Sequence, residues 1–210
     1  MSLSDETPGS GDARGERAEF HHRVKNNLQI VSTLLGFQAR FAGDGAAAGA
    51  LKDAKLRVHC IGLVHETLLS AADPELLDLD RYVHRLVPGL VRAHGAGGRF
   101  EVEIDVEPGG VPVDEAVPLG LILHELVTNG LRHGGSGGWL RVRSYREGRT
   151  RVLVVSDRGP GLPPGVDPTV AASLGFSLIR MLSAQLGGEV RPAPGSGATL
   201  ALRYLAPGGA

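Results

Sequence analysis

The chain has 210 residues, 42% apolar and 21% charged, with a formal net charge of −1, enough for one large or two small domains and with no global field favouring nucleic acid or an anionic membrane. Cys60 is the only cysteine, which excludes an internal disulfide or a multi-cysteine zinc site, and it reads as a small buried hydrophobe. No apolar run approaches the roughly 18 residues that span a bilayer, and the N-terminus "MSLSDETPGSGDARGERAEF" has no signal-peptide core. The expected setting is cytoplasmic, without membrane insertion or nucleic acid.

Residues 1–16 read as a flexible tail, too short for a folded sensor. A helical hairpin is expected over 17–75 and an α/β domain over 76–210. The first helix is predicted from about Asp12 to Phe41. Phe20, Val24, Leu28, Val31, Leu35 and Gln38 recur every three or four residues and predict its buried stripe. The opposite face collects His22, Lys25, Asn26 and Gln29. His21 falls on the flank of the apolar stripe, a place for packing or a boundary hydrogen bond. A neutral imidazole is a good nucleophile, and Lys25 beside it disfavours the protonated form and helps hold a phosphate. An ordinary solvated helix face accounts for the same four residues.

The run "EFHHRVKNNLQIVSTLLGFQAR" resembles the phosphoacceptor helix of the histidine-kinase subfamily whose motif reads His-Arg-x-Lys-Asn, related to the HWE kinases. That resemblance implies that His22 is the phosphorylated residue and that Arg23, Lys25 and Asn26 support it.

A turn at Ala42–Gly45 leads to a second helical pattern, with Leu51, Ala54, Val58, Ile61, His65 and Leu68. Ile30, Leu34, Phe37 and Phe41 form a second apolar stripe on the first helix, about 100° from the first. One antiparallel partner does not cover both stripes, so pairing of two hairpins into a homodimeric four-helix bundle is expected. After Ala71–Pro74, Asp78 or Asp80 caps a third helix that Pro88 should kink or end early. Phe100, Val102, Ile104 and Val106 alternate with acidic residues, a half-buried strand.

A helix over Asp114–Arg132 places Glu125, Asn129 and His133 at i, i+4 and i+8. Strands Trp139–Tyr145 and Arg151–Ser156 form a hairpin. A Gly- and Pro-rich loop, Arg158–Ala172, precedes a helix over Leu174–Leu186, and two last strands flank Pro194–Gly197. The expected class is α+β: an antiparallel helical hairpin, then an α/β sandwich with helices on one face of a mixed sheet.

Four features of this second half converge on a nucleotide. Asp157-Arg158-Gly159-Pro160-Gly161 follows an apolar strand, where a carboxylate can accept from an adenine amine and the glycines let the backbone approach the base. Asn129 offers an amide oxygen to Mg²⁺ on the phosphates, with Glu125 one turn earlier to polarise a proton; as a surface residue Glu125 would instead pair with Arg132 or His133. Ser173-Leu174-Gly175 opens a helix whose N–H groups suit phosphate. Gly195-Ser196-Gly197-Ala198-Thr199 precedes the last strand. A lone D-x-G-x-G is a common turn; the set in this order is specific.

Together they resemble the ATP-binding (GHKL, or Bergerat) fold shared by histidine kinases, gyrase-type topoisomerases, Hsp90 chaperones and MutL repair proteins. The resemblance implies that Asn129 binds Mg²⁺. It places Asp157, Gly159, Gly161 and Leu162 at the adenine, Ser173, Leu174 and Gly175 at the phosphates, and Arg132, His133 and Thr199 on the nucleotide as well, with 158–172 as the lid. Two departures stand out. Ser173 replaces a common Gly, and Arg23 follows the acceptor where many histidine kinases place a carboxylate. Glu125 is then the general-base candidate, because Glu four residues before the metal Asn is the catalytic pattern of gyrase-type ATPases.

The resemblance implies an ATP- and Mg²⁺-dependent protein-histidine kinase of a two-component system, autophosphorylated on His22, that passes phosphate to an Asp of a response-regulator receiver domain under a separate sensor or regulatory protein. The alternatives are a histidine phosphotransferase with a relic nucleotide domain, and an ATPase or anti-sigma-type serine kinase of the same fold.

Overall fold

The structure is a computed structural model that describes residues 10–135, 138–162, 173–195 and 197–206. The chain divides into two compact units, Met1–Leu77 and Asp78–Ala210.

In the first unit α1 (Ser10–Phe41) and α2 (Ala46–Leu69) form a hairpin. Gly43 takes φ +70° in the turn, a left-handed conformation that favours glycine. The covered positions of α1 are His21, Val24, Lys25, Leu28, Ser32, Leu35, Gly36 and Ala39. α2 answers with Cys60, Leu63, Val64, Thr67 and Leu68, all buried, which places the lone cysteine in the core as its apolar surroundings predict.

This strip is rotated slightly from the predicted one. Phe20 and Val31 are 60% and 43% exposed, whereas His21 is buried. The reason is a contact across the hairpin: His21 Nδ1 lies 2.8 Å from His65 Nδ1, so a polar pair occupies the place that periodicity gave to Phe20. The second stripe is uncovered, with Ile30, Leu34, Phe37 and Phe41 between 49% and 89% exposed.

A short strand β1 (Leu76–Asp78) straddles the division between the units. Beyond it lie α3 (Leu79–Ala93), β2 (Phe100–Val106), β3 (Gly110–Pro112), α4 (Val113–His133), β4 (Gly138–Glu147), β5 (Thr150–Asp157), α5 (Leu174–Gln185), β6 (Glu189–Pro192) and β7 (Thr199–Leu205). Neither β1 nor β3 was predicted, since three residues are too few to show alternation.

Asp78, not Asp80, caps α3: its carboxylate accepts from Arg81 N at 3.0 Å. Pro88 does not end the helix, which continues to Ala93. Leu86, Val87, Leu90 and Val91 are buried on both sides of it, and that packing outweighs the missing N–H.

The main sheet has strand order β2-β4-β5-β7-β6; β2 and β4 are parallel and the remaining pairs antiparallel, which is the mixed sheet expected. Leu140, Val142, Leu153 and Val155 point inward and are buried. α4 packs on β4, β5 and α5. On the other face Arg141 and Arg143 pair with Glu103 and Asp105 across β2 and β4, partly exposed ion pairs that add little stability. Helices therefore cover one face and charge the other.

Asp78→Ala is expected to cost about 1 kcal/mol of stability by orphaning the Arg81 N–H, read as a lower denaturation midpoint in the fluorescence of Trp139, which lies in the same unit.

Candidate active site

Asp157 closes β5 with its side chain on the helix-covered face. Its Oδ1 accepts from Gly159 N at 2.8 Å and from Ala198 N at 3.1 Å, while its backbone N donates to the Ala198 carbonyl at 2.9 Å. Oδ2 lies beside Gly130: a Cβ there would sit 3.8 Å from it and 2.6 Å from Leu140 Cδ1. One carboxylate oxygen thus shapes the loops, and the other remains to accept an amino group.

The glycines of this box also meet constraints within the protein itself. A Cβ on Gly159 would collide with the His133 carbonyl oxygen and come within 2.8 Å of Gly134 Cα. Gly159 lets the turn pack on the end of α4. Gly161 has φ +82°, so its need is conformational. A Cβ on Gly197 would clash with the Asp157 backbone and stand 2.8 Å from Asp157 Oδ1.

α4 carries the other polar groups. Glu125 is only 3% exposed and is no surface residue, whereas Arg132 and His133 are exposed. His124, 1% exposed, holds it through a contact between Nδ1 and Glu125 Oε1 of 3.1 Å. An ionised carboxylate only accepts, so the imidazole donates from Nδ1. Glu125 Oε2 reaches toward the start of α5, 2.9 Å from where a Cβ on Gly175 would stand. Gly175 is small because the carboxylate needs the space.

Asn129 is half-buried, and its Nδ2 makes no hydrogen bond among the described residues. The two ends of an amide have nearly the same shape, so the end without a partner can be the oxygen, which fits a ligand role toward a hard cation. Among the described residues no three His, Cys, Asp or Glu side chains converge on a metal position. A divalent ion here would rest on Asn129 and phosphate oxygens, the usual habit of Mg²⁺.

Ser173 is the N-cap of α5, its hydroxyl accepting from Phe176 N at 3.3 Å. That oxygen completes the helix start, and Leu174 beside it is 71% exposed. Thr199 is buried, with Oγ1 unpartnered among the described residues. Leu162 is half-buried at the end of the described part of the turn; residues 163–172 of the expected lid and Ser196 lie outside the described residues. The buried group of Arg151, Glu115 and Tyr204 stands at the other end of β5 and takes no part in this site. Burial raises the pKa of the Glu115 carboxyl and of the Tyr204 phenol.

In the first unit His22 is exposed, and Asn26 Nδ2 lies 3.2 Å from its Nδ1. Arg23 turns back to Glu19, a pairing that lowers the Glu19 pKa through the hydrogen bond and the guanidinium charge. Lys25 Nζ is 3.6 Å from Glu66 Oε2, so its charge is shared with a carboxylate. Glu19, Glu66 and His124 were not singled out from sequence, and His65 was read only as a position in the apolar pattern of the second helix. The i, i+4 step from Glu19 to Arg23 was available to find the first.

Against this geometry, the second unit is an α/β sandwich of the class with an Asn on one helix and an Asp-x-Gly-x-Gly turn at a strand end. Two family models match: "Histidine kinase" over residues 19–94 and "Histidine kinase-, DNA gyrase B-, and HSP90-like ATPase" over residues 114–207. The sensor histidine kinase PdtaS of Mycobacterium tuberculosis is 34% identical over 177 residues, 82% of this chain and 35% of that protein. Blue-light-activated histidine kinase 2 of Erythrobacter litoralis is 26% identical over 208 residues, 95% of this chain and 59% of that protein. The fold matches the solved histidine kinase domain of the Erythrobacter litoralis EL346 blue-light activated histidine kinase, with a TM-score of 0.68 at 23% identity over 93% of this chain and 94% of that one. The chain belongs to the histidine kinase family. It spans about a third of the length of the PdtaS relatives.

Gly159→Ala is expected to lower stability by about 1–3 kcal/mol through overpacking against α4, together with nucleotide affinity. A calorimetric titration and a melting curve read the two losses. The His21–His65 pair gives a pH dependence. Burial, the larger effect, lowers both imidazole pKa values below the ordinary 6.5; the Glu75 charge opposes this at His21, and His21 reinforces it at His65. The unfolded chain therefore binds protons first. Hairpin stability is full above about pH 6.5 and falls as pH drops below it toward the depressed folded values. Helicity measured against pH should show this loss, and His65→Leu should flatten it.

Proposed function

We propose that this chain is an ATP-dependent protein-histidine kinase that autophosphorylates His22 and hands the phosphoryl group to an aspartate of a response-regulator receiver domain. The observation that carries the reading is the convergence in one domain of Asp157, Asn129 and the Glu125 carboxylate aimed at the start of α5. A buried carboxylate facing the start of a helix, and an amide whose Nδ2 has no partner among the described residues, are groups that a nucleotide and its metal can use. A relic nucleotide domain would not be expected to keep them.

In this reading Asp157 Oδ2 accepts the adenine amine, and the N–H groups at the start of α5 receive phosphate oxygens. Asn129 holds Mg²⁺, which neutralises phosphate charge. One imidazole nitrogen of His22 donates its lone pair to the γ-phosphorus; the bond to the β–γ bridging oxygen breaks, ADP leaves, and Glu125 takes the proton shed by the imidazole. Most of the rate comes from positioning and charge neutralisation. Asn26 orients His22, and Lys25 and Arg23 keep cations near the incoming phosphate while their own carboxylate partners limit that field.

The same reading includes a homodimer. Leaving Ile30, Leu34, Phe37 and Phe41 in water costs about 1.5–3 kcal/mol each relative to burial, enough to drive the pairing of two hairpins. Control by a separate sensor or regulatory protein and a cytoplasmic setting complete the proposal; among the described residues no helix is long and apolar enough to cross a membrane.

With γ-labelled ATP the wild-type chain should acquire acid-labile, base-stable phosphate. His22→Ala should abolish it, and His21→Ala should retain part of it. Glu125→Gln should slow labelling about 10²–10⁴-fold, and Asn129→Ala should remove it with the fold intact. Label that persists in His22→Ala and vanishes in His21→Ala would overturn the acceptor. Mixing the His22→Ala and Asn129→Ala proteins should restore labelling if reaction runs between subunits, and light scattering should give twice the chain mass.

A further inference from the structure

The outer face of the sheet carries one group that the nucleotide site does not yet use. Trp139, the only tryptophan, is 8% exposed although it lies on the face that no helix covers. Two neighbours hold it. Its Nε1 donates to Glu103 Oε1 at 2.7 Å, and the Arg158 guanidinium carbon stands 4.4 Å above its ring centroid. Arg158 directly follows Asp157, and Leu140 is the register partner of Asp157. Successive strand residues point to opposite faces. The Asp157 carboxylate and the Arg158 guanidinium therefore leave the same point of the backbone in opposite directions.

From this geometry we infer that Trp139 is a positioning residue for nucleotide binding: it clamps Arg158 and so fixes the rotation of the strand end that aims Asp157 Oδ2 at the adenine amine. The inference rests on the nucleotide reading of that site. Beyond Arg158 come Gly159 and Gly161, which resist backbone rotation less than other residues do. Asp157 Oδ1 ties the turn from the inner face, and the cation–π contact ties it from the outer one. Without the outer tie, Arg158 is a solvated side chain at the start of a glycine-rich turn, and Oδ2 samples more directions. Arg158 is exposed, so this is the weaker, solvated form of a cation–π contact, and the Glu103 bond keeps the ring from tilting away. Arg158 is thereby also committed away from the nucleotide phosphates.

The test compares Trp139→Leu, Trp139→Phe and Arg158→Gln in the full chain, with Mg·ADP affinity by calorimetry and the labelling rate at saturating ATP. Trp139→Leu and Arg158→Gln should each weaken Mg·ADP about threefold to fivefold, with the saturated rate within about twofold of wild type. The double variant should lose no more than either single one, because both remove the same contact. Trp139→Phe keeps an aromatic face and should recover most of the affinity. In the wild type, Mg·ADP should shift the Trp139 emission, and Arg158→Gln should abolish the shift. Single losses that multiply in the double variant, or Arg158→Gln affinity within twofold of wild type, would overturn the inference. Should Trp139→Leu fold poorly, Arg158→Gln decides alone. A wild-type chain that binds no nucleotide would overturn the nucleotide reading and this inference with it, whereas wild-type binding with unchanged variants overturns only this inference.

Discussion

Asp157 Oδ1 accepts two backbone N–H groups, from Gly159 and Ala198, and through them joins three parts of the second unit. The bond to Gly159 bends the chain at the end of β5. The bond to Ala198 draws the approach to β7 against that bend. A buried carboxylate without donors is costly, and two charge-assisted bonds offset much of the cost. The arrangement is compatible with function because only one oxygen is used for the fold. The second lies in the space that Gly130 leaves on α4, so the group that organises the loops keeps one oxygen for the nucleotide we propose.

Space around that carboxylate is rationed by backbone rather than by side chains. Gly159 abuts the last carbonyls of α4, Gly197 abuts Asp157 itself, and Gly175 abuts Glu125 Oε2. These contacts couple the start of α5 to α4 and the strand end to both. At Gly159 and Gly197 a methyl group meets backbone, which cannot step aside as a flexible side chain can. The adenine-side and phosphate-side motifs are thus parts of one packing problem, although about 15 residues of sequence separate them. The buried His124 adds a polar constraint of the same kind by holding Glu125 Oε1.

What could be read beforehand follows from period and punctuation. The long amphipathic helices, the alternating β2, the hairpin of β4 and β5 and the Asp-x-Gly-x-Gly turn each carry a local signal, and the mixed sheet came from their order. The face of α1 was set slightly wrong. Hydrophobicity ranks Phe20 above His21, whereas the buried choice depends on His65, 44 residues away. The burial of Glu125 was not legible, because His124 holds it from the adjacent position, and adjacent helical residues usually point apart. Pro88 was given too much weight because propensity takes no account of the buried residues around it. The packing role of Gly159 was invisible for a similar reason, since the carbonyl it meets belongs to another element.

The central claim is that His22 carries the phosphoryl group. The most direct measurement is fragment mass spectrometry of the chain after incubation with Mg·ATP, kept alkaline so that a phosphorus–nitrogen bond survives. The account requires the phosphate increment on His22 and its loss after brief acid treatment. A phosphate on His21, an acid-stable phosphate on a serine or threonine, or ADP release with no modified peptide would contradict it.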